Sequence, residues 1–137
     1  MKKLLIGSVA ASGLMAGGAW AAEKIVVVTS FPEEMTAVIE KAFEGAHPEY
    51  DIAILNKSTS SGVKYVQEIA SANTADIFWA SAPDAFEVLK TDGKLAKITP
   101  NVTGIPDVIG SYPMNDAHGH YYGFAAAGYG IMWNTRY

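Results

Sequence analysis

The 137-residue sequence contains no cysteine. Disulfide bonds and thiolate metal sites are therefore excluded, and the stability of the fold must come from an ordinary packed core. Positive charge is also scarce, because ten lysines and arginines stand against fourteen acidic residues, for a net charge of −4. No cluster of basic residues occurs after the first three positions. A nucleic-acid partner is not expected, since binding to a phosphate backbone depends on such a cluster.

Common catalytic motifs are missing as well. The sequence has no Gly-x-Ser-x-Gly elbow, no His-Glu-x-x-His and no Walker loop, and no carboxylates are grouped at metal-binding spacing. Its histidines, at positions 47, 118 and 120, lie in connections and not beside a serine–base pattern. We therefore predict a protein that is not an enzyme and that needs no cofactor.

The one long apolar stretch is at the start of the chain. Two lysines precede an apolar, glycine-interrupted run from Leu4 to Trp20, and Ala19-Trp20-Ala21 forms an A-x-A cleavage site. This pattern predicts a bacterial signal peptide over residues 1–21, cleaved after Ala21, and it is too short and broken for a retained anchor. Cleavage would remove two basic residues and no acidic ones, leaving 116 residues with a net charge of −6. That length suits a single domain.

A strand followed by a polar turn and a helix start opens the remaining sequence. Ile25 to Val28 are four β-branched residues, which favour a buried strand. Ser30 and Glu33 have the capping-box spacing, with Pro32 in the first helical turn. The same order returns between Asp76 and Asp84. Such junctions direct free backbone N–H groups and the positive end of a helix dipole to one point, where an anion binds well.

Three strand–loop–helix units in succession predict an α/β fold, with a parallel sheet flanked by helices. The predicted strands cover Ile25 to Val28, Tyr50 to Leu55 and Asp76 to Ala80. The first helix is expected to end at Gly45 and the third at Asp92-Gly93. Apolar residues at helical spacing define the buried faces of the three helices. These are Met35, Val38, Ile39, Ala42 and Phe43; Val63, Val66, Ile69 and Ala70; and Ala85, Phe86, Val88 and Leu89.

Hydroxyl groups are concentrated between Asn56 and Gly62. This stretch is either a ligand-binding loop or a plain connector, and Ser60 or Ser61 is the expected cap of the second helix. Ser30 and Ser81 present the same choice, because serine is a preferred helix cap with or without a ligand. Lys57 could attract an anion or could be a surface charge, while Trp79 is expected in the core because it ends an apolar strand.

The periodicity is lost beyond Gly93. Residues 96–113 contain several prolines and glycines and are expected to be mostly irregular. Asn115 to His120 is a strong turn signal, and strands are predicted over Tyr121 to Phe124 and over Gly128 to Trp133. The chain then ends abruptly, which suggests a fragment.

The order of these motifs resembles that of the extracellular solute-binding proteins of ABC importers. The resemblance rests on the signal peptide, on Val-Val-Val-Thr-Ser-Phe-Pro-Glu-Glu, on the serine-rich loop, on Ala-Asp-Ile-Phe-Trp-Ala-Ser-Ala-Pro-Asp-Ala-Phe and on Gly-Tyr-Gly-Ile-Met-Trp-Asn-Thr. The branch with ferric-iron, hexose-phosphate and phosphoglycerate binders is the most similar. The resemblance implies a periplasmic binding protein-like fold of two lobes, of which residues 22–137 would form the amino-terminal lobe and the start of the crossover to the second.

The same resemblance implies a function and a site. The protein would be periplasmic, a monomer when full length, and would capture a small anionic organic solute, phosphorylated or carboxylated, for an ABC permease in the inner membrane. The ligand would lie at the carboxyl ends of the strands, the edge at which open α/β sheets generally bind ligands. The implied contact residues are Thr29, Ser30, Ser60, Ser61, Gly62, Ser81 and Ala82.

Two alternative functions stay open. Ferric iron would call for carboxylate, phenolate or imidazole ligands; iron-binding relatives carry a histidine in the first loop, where this sequence has Phe31-Pro32. His118, His120 and the pair Tyr121-Tyr122 could suggest a metal cluster, but adjacent strand residues point to opposite faces, so no metal site is predicted. The other alternative is a periplasmic sensor that engages a histidine kinase.

Overall fold

Three strands alternate with three helices in the first part of the molecule. The computed structural model describes residues 21–69, 75–99, 104, 106–127, 130 and 133–136. The order is β1 (Glu23–Thr29), α1 (Glu33–Ala46), β2 (Tyr50–Asn56), α2 (Thr59–Glu68), β3 (Ile77–Trp79) and α3 (Pro83–Thr91). The predicted α/β fold, a small parallel sheet flanked by helices, is confirmed. The predicted signal peptide lies outside the described residues except for its last one, Ala21.

The strands form one parallel sheet in the order β2-β1-β3. Val28 of β1 is level with Leu55 of β2 and with Phe78 of β3. Because alternate residues of a strand point to opposite faces, these side chains share one face of the sheet. α2 and α3 cover that face, which we call the α2–α3 face.

The core lies between the sheet and the α2–α3 pair. Val28 and Leu89 are completely buried and Val66 nearly so, and together they form one apolar cluster. Burying an aliphatic side chain of this size contributes about 1.5–3 kcal/mol. The predicted apolar faces of α2 and α3 are confirmed at Val66, Ala85 and Leu89, whereas Val88 is exposed.

The opposite face of the sheet is only partly covered by α1. The helix itself is confirmed, but its predicted apolar face is not buried as expected, since Val38 is 68% and Ile39 44% exposed. α1 leaves an apolar groove of about 230 Å³ beside β3. Its lining includes Ile39, Phe43, Ile77 and Trp79. Trp79, expected in the core, is therefore only partly buried.

The predicted cap of α1, Ser30, is wrong, the cap of α2 is a different serine from those predicted, and Ser81 does not cap α3. α1 begins at Glu33 with Pro32 as its N-cap, and α3 has Ala82 in that position; the side chain of neither cap residue accepts a hydrogen bond. The first helix starts late because the Thr29 hydroxyl accepts a hydrogen bond from the Phe31 N–H at 3.1 Å, which makes a separate turn. The cap of α2 is Ser58, and Ser60 and Ser61 lie within its first turn.

The helix ends agree more closely with the sequence. α3 is followed by Asp92 and by Gly93, whose φ of +67° fits the left-handed conformation that glycine adopts at low cost. α1 continues through Gly45 to Ala46 and ends at His47. In the described part of the chain, no helix has the length and apolar character needed to cross a membrane.

An irregular arm, residues 106–127, follows the α/β unit. It contains a short hairpin, β4 (Val108–Ile109) and β5 (Tyr112–Pro113), within a stretch that is otherwise irregular as predicted. The predicted turn over residues 115–120 is confirmed by the bond from the Gly119 N–H to the Asp116 carbonyl at 3.0 Å.

The predicted strand from Tyr121 to Phe124 is wrong. The structure has only an isolated bridge between Asn115 and Tyr122 in that segment. Gly123 lies directly against Met114, to whose carbonyl its N–H donates at 2.8 Å, and this bond and the one from the Asp116 N–H to the Tyr121 carbonyl at 3.1 Å flank the bridge. The strand predicted from Gly128 to Trp133 falls mostly outside the described residues. Ala70, predicted on the apolar face of the second helix, also lies outside them.

Candidate functional site

The carboxyl ends of the three strands lie level at one edge of the sheet. Thr29, the last residue of β1, pairs with Asn56 on one side and with Trp79 on the other. The Lys57 N–H donates to the Thr29 carbonyl at 2.8 Å and extends this alignment by one residue. The loops that begin after these residues therefore meet at the same edge, as the sequence predicted.

The first loop is held by two polar side chains. Thr29 is 1% exposed, and its hydroxyl accepts a hydrogen bond from the Phe31 N–H. This buried side chain therefore stabilises the turn. The Asn56 side-chain amide donates to the Phe31 carbonyl at 2.6 Å and ties the loop to the end of β2. Ser30, between these contacts, is partly exposed. Sequence reasoning gave Asn56 no role of its own, because its partner lies on another segment.

The second loop is the serine-rich start of α2. The Ser58 hydroxyl accepts from the Ser61 N–H at 3.3 Å and donates to the Ser61 hydroxyl at 2.9 Å. Ser60 and Ser61 are both exposed at the surface. Gly62 is buried, and a Cβ there would stand 3.1 Å from a Phe78 ring carbon, so its position allows α2 to pack closely on the sheet. The Gly62 N–H donates to the Ser58 carbonyl.

The third loop presents Ser81 at the surface and Ala82, half-buried, at the N-cap of α3. Asp84 lies in the first turn of the helix, where its carboxylate accepts from the Ala85 N–H at 3.0 Å. This negative charge already complements the helix dipole.

The three helix starts therefore differ in charge. α1 carries Glu33 and Glu34 in its first turn and α3 carries Asp84, whereas the first turn of α2 has no acidic residue. A carboxylate at a helix start competes with an external anion for the same N–H groups and the same dipole. Of these three positions, the start of α2 offers an anion the most favourable field.

Lys57 precedes α2 but lies along its side. The Nζ atom is 4.8 Å from the centroid of the Tyr65 ring, a cation–π contact. Tyr65 in turn packs against the apolar cluster of Val28, Val66 and Leu89. The contact holds the lysine charge beside the helix.

Three aromatic rings meet at the same edge of the sheet. Phe31 and Trp79 have ring centroids 4.9 Å apart, and Phe124 of the arm lies 5.9 Å from Trp79 and 6.3 Å from Phe31. We call Phe31, Trp79 and Phe124 the aromatic cluster. The sequence did not reveal it, because Phe124 comes from a distant segment and was predicted to be in a strand.

A charged network fastens the arm to α3. The Lys90 ammonium bonds Glu87 at 2.9 Å and Asp116 at 3.0 Å, and the second Asp116 oxygen is 2.8 Å from the Nδ1 atom of His120. The Tyr121 hydroxyl donates to Glu87 at 2.6 Å. These bonds keep residues 116–121 on the side of α3, which begins at the candidate site.

The network shifts the pKa values of its members. Burial raises the pKa of the Asp116 carboxyl, but hydrogen bonds from His120 and Lys90 outweigh it and hold the pKa well below its ordinary value. Burial, together with the hydrogen bond to Glu87, raises the pKa of Tyr121 to about 12. The Tyr121 bond also lowers the pKa of Glu87, and the bonds to Glu87 and Asp116 raise the pKa of Lys90.

The histidines and tyrosines between residues 118 and 122, which could suggest an iron site, do not point to one common centre. His120 contacts Asp116, Tyr121 contacts Glu87, and the Tyr122 hydroxyl donates to the Ile98 carbonyl at 2.9 Å. Over residues 21–69, 75–99 and the described parts beyond them, no three histidine or acidic side chains are grouped so as to hold a metal ion.

Comparison with known proteins leaves the function to be inferred from the site itself. No protein-family model, no curated protein and no solved structure matches the chain.

Proposed function

We propose that this protein is the solute-binding component of an ABC importer. It captures a small anionic organic solute, carrying a phosphate or carboxylate group, and releases it without chemical change. The observation that carries the proposal is the convergence of the loops after β1, β2 and β3 at one edge, each followed by a helix start. Ligands of open α/β sheets bind at this edge.

The chemistry of the loops supports an anionic group. Ser60, Ser61 and Ser81 are exposed and can donate hydrogen bonds from their hydroxyls, and Ser30 is partly exposed beside them. Ser30 and Ser81 do not cap α1 or α3, so helix capping does not account for the presence of these two serines. The solute's charged group is placed at the start of α2, where no acidic side chain opposes it.

The cellular setting belongs to the same proposal. The pattern of residues 1–21 supports export through the inner membrane, and the excess of acidic over basic residues fits a partner that is not nucleic acid. We place the protein in the periplasm, where an ABC permease in the inner membrane would receive the solute.

Calorimetric titration with inorganic phosphate tests the proposal. Ser30→Ala, Ser60→Ala and Ser81→Ala are each expected to weaken binding by about 1.5–3 kcal/mol, the range for hydrogen bonds to a charged group. Ser111→Ala is the matched control, because Ser111 is an exposed serine in the hairpin turn of the arm. Unchanged affinity in all three site variants, or no binding of phosphate by the wild-type protein, would contradict the proposal.

A further inference from the structure

The aromatic cluster adjoins the proposed anion site through Phe31. The backbone carbonyl of Phe31 accepts the Asn56 amide beside the second loop, while its ring packs on Trp79. One residue thus takes part in both the polar loops and the apolar rings. Since Trp79 is level with Thr29 in the sheet, the cluster lies at the same carboxyl edge as the serines.

The geometry of the cluster limits what it can bind. Centroid separations of 4.9 to 6.3 Å mean that the rings touch one another, so no gap remains between them for a cation. Their outer surfaces are still accessible, because Phe124 is 58% exposed and Phe31 and Trp79 are partly exposed. The cluster therefore presents a surface for stacking and not a cage.

We infer that the aromatic cluster is an apolar subsite of the proposed solute site, and that the solute joins its anionic group to a flat apolar ring. This inference rests on the proposed function. Ligand sites combine apolar and aromatic walls with a few polar groups that fix orientation, and the edge of this sheet supplies both. A ring of the solute gains by covering exposed aromatic surface and by offset or edge-on contact with the side chains.

The arm gives Phe124 its place in this subsite. Residues 116–121 are fastened to α3 through Lys90 and Glu87, and Phe124 follows three residues after the last of these contacts. Gly123, immediately before Phe124, is bonded to Met114 of the same arm. The ring of Phe124 is thus set against Phe31 and Trp79 before any solute arrives.

Two phosphate esters that differ only in the attached group test the inference. In calorimetric titrations, phenyl phosphate is expected to bind the wild-type protein about tenfold more tightly than methyl phosphate. Phe124→Ala and Phe124→Leu should reduce that ratio to within about twofold, with the affinity for methyl phosphate unchanged. The leucine variant keeps an apolar side chain and removes only the ring. Tyr112→Ala, at an exposed aromatic residue of the hairpin, should keep the full ratio.

The outcomes separate this inference from the proposed function. Equal affinities for the two esters in the wild-type protein, or a ratio that survives both Phe124 variants, would overturn the apolar subsite while leaving anion binding in place. A protein that binds neither ester would overturn the proposed function and the subsite together.

Discussion

Gly123 illustrates how a single residue can determine the path of a segment. A Cβ at this position would stand 2.6 Å from the Met114 carbonyl oxygen, closer than real contacts allow. Backbone atoms cannot give way as a flexible side chain can, so the arm would have to move. The close approach fixes the path of the arm beside the bridge between Asn115 and Tyr122.

Gly123→Ala is therefore expected to lower the free energy of unfolding by about 1–3 kcal/mol, the usual cost of overpacking. Gly45→Ala is the matched control, because Gly45 lies inside α1 with open space around its missing side chain. That change should raise the free energy of unfolding by roughly 0.5–1 kcal/mol through helix propensity. Urea unfolding measures both; equal effects of the two substitutions would contradict the described path of the arm.

Asp116 makes the attachment of the arm dependent on pH. Its folded-state pKa lies well below the ordinary value of 3.8, despite burial, because His120 and Lys90 donate to the charged carboxylate. A carboxyl group with a depressed folded pKa contributes stability that is fully present above its unfolded pKa and is lost as the pH falls below it.

Asp116→Asn should consequently destabilise the protein at neutral pH, and its difference from wild type should shrink as the pH falls below about 4. Asp51→Asn serves as the control, since Asp51 is exposed on β2, and it should stay within about 0.5 kcal/mol of wild type throughout. Urea unfolding at a series of pH values gives both differences. A difference in the free energy of unfolding between Asp116→Asn and wild type that stays constant down to the lowest pH would contradict a stabilising role for the ionised Asp116 carboxylate in the network.

The helix caps show the limit of sequence reasoning for single residues. Serines precede each helix, and the sequence correctly marked the three junctions, but Ser30 and Ser81 lie one or more residues before the true N-caps, Pro32 and Ala82. A cap depends on where the strand stops, and the bond from Phe31 to Thr29 moves that point in the first loop. Residues 58–61 all carry hydroxyl groups, so the residue types alone do not show which of them caps α2.

The helices and strands follow more directly from the sequence, because apolar periodicity averages over many residues. The helices α1, α2 and α3 and the strands β1, β2 and β3 all lie close to their predicted positions. The pattern does not say what covers each face. Val38 and Ile39 of α1 follow Met35 at the same spacing as Val88 and Leu89 follow Ala85 in α3, yet Ile39 is 44% exposed and Leu89 is completely buried.

This contrast leads to a prediction for the two helices. Leu89→Ala should lower the free energy of unfolding by about 2–5 kcal/mol, because it leaves a cavity in the core between α2, α3 and the sheet. Val38→Ala should change the free energy of unfolding by no more than about 0.5 kcal/mol, as expected for a surface substitution. Chemical denaturation compares the two. A loss at Val38 as large as that at Leu89 would show that the outer face of α1 is covered in solution.

In the whole molecule, the candidate site is assembled from segments far apart in the sequence. A parallel sheet brings the carboxyl ends of its strands to one edge, so the sequence could predict that the loops at Ser30, Ser60 and Ser81 would meet. It could not predict that Phe124 would join Phe31 and Trp79, because the arm follows no periodic pattern and is held by individual polar contacts. The local rules therefore predicted where the polar loops of the candidate site meet, and only the three-dimensional structure revealed the aromatic cluster beside them.

We propose that an anion binds where the three loops meet. Amide NMR spectra of the protein titrated with inorganic phosphate test it most directly, because each backbone N–H reports its own surroundings. We expect saturable shifts that are largest for residues 58–61 and extend to Ser30 and Ser81, with little change at the hairpin residues 108–113. Spectra without saturable shifts, or shifts concentrated away from these loops, would contradict it.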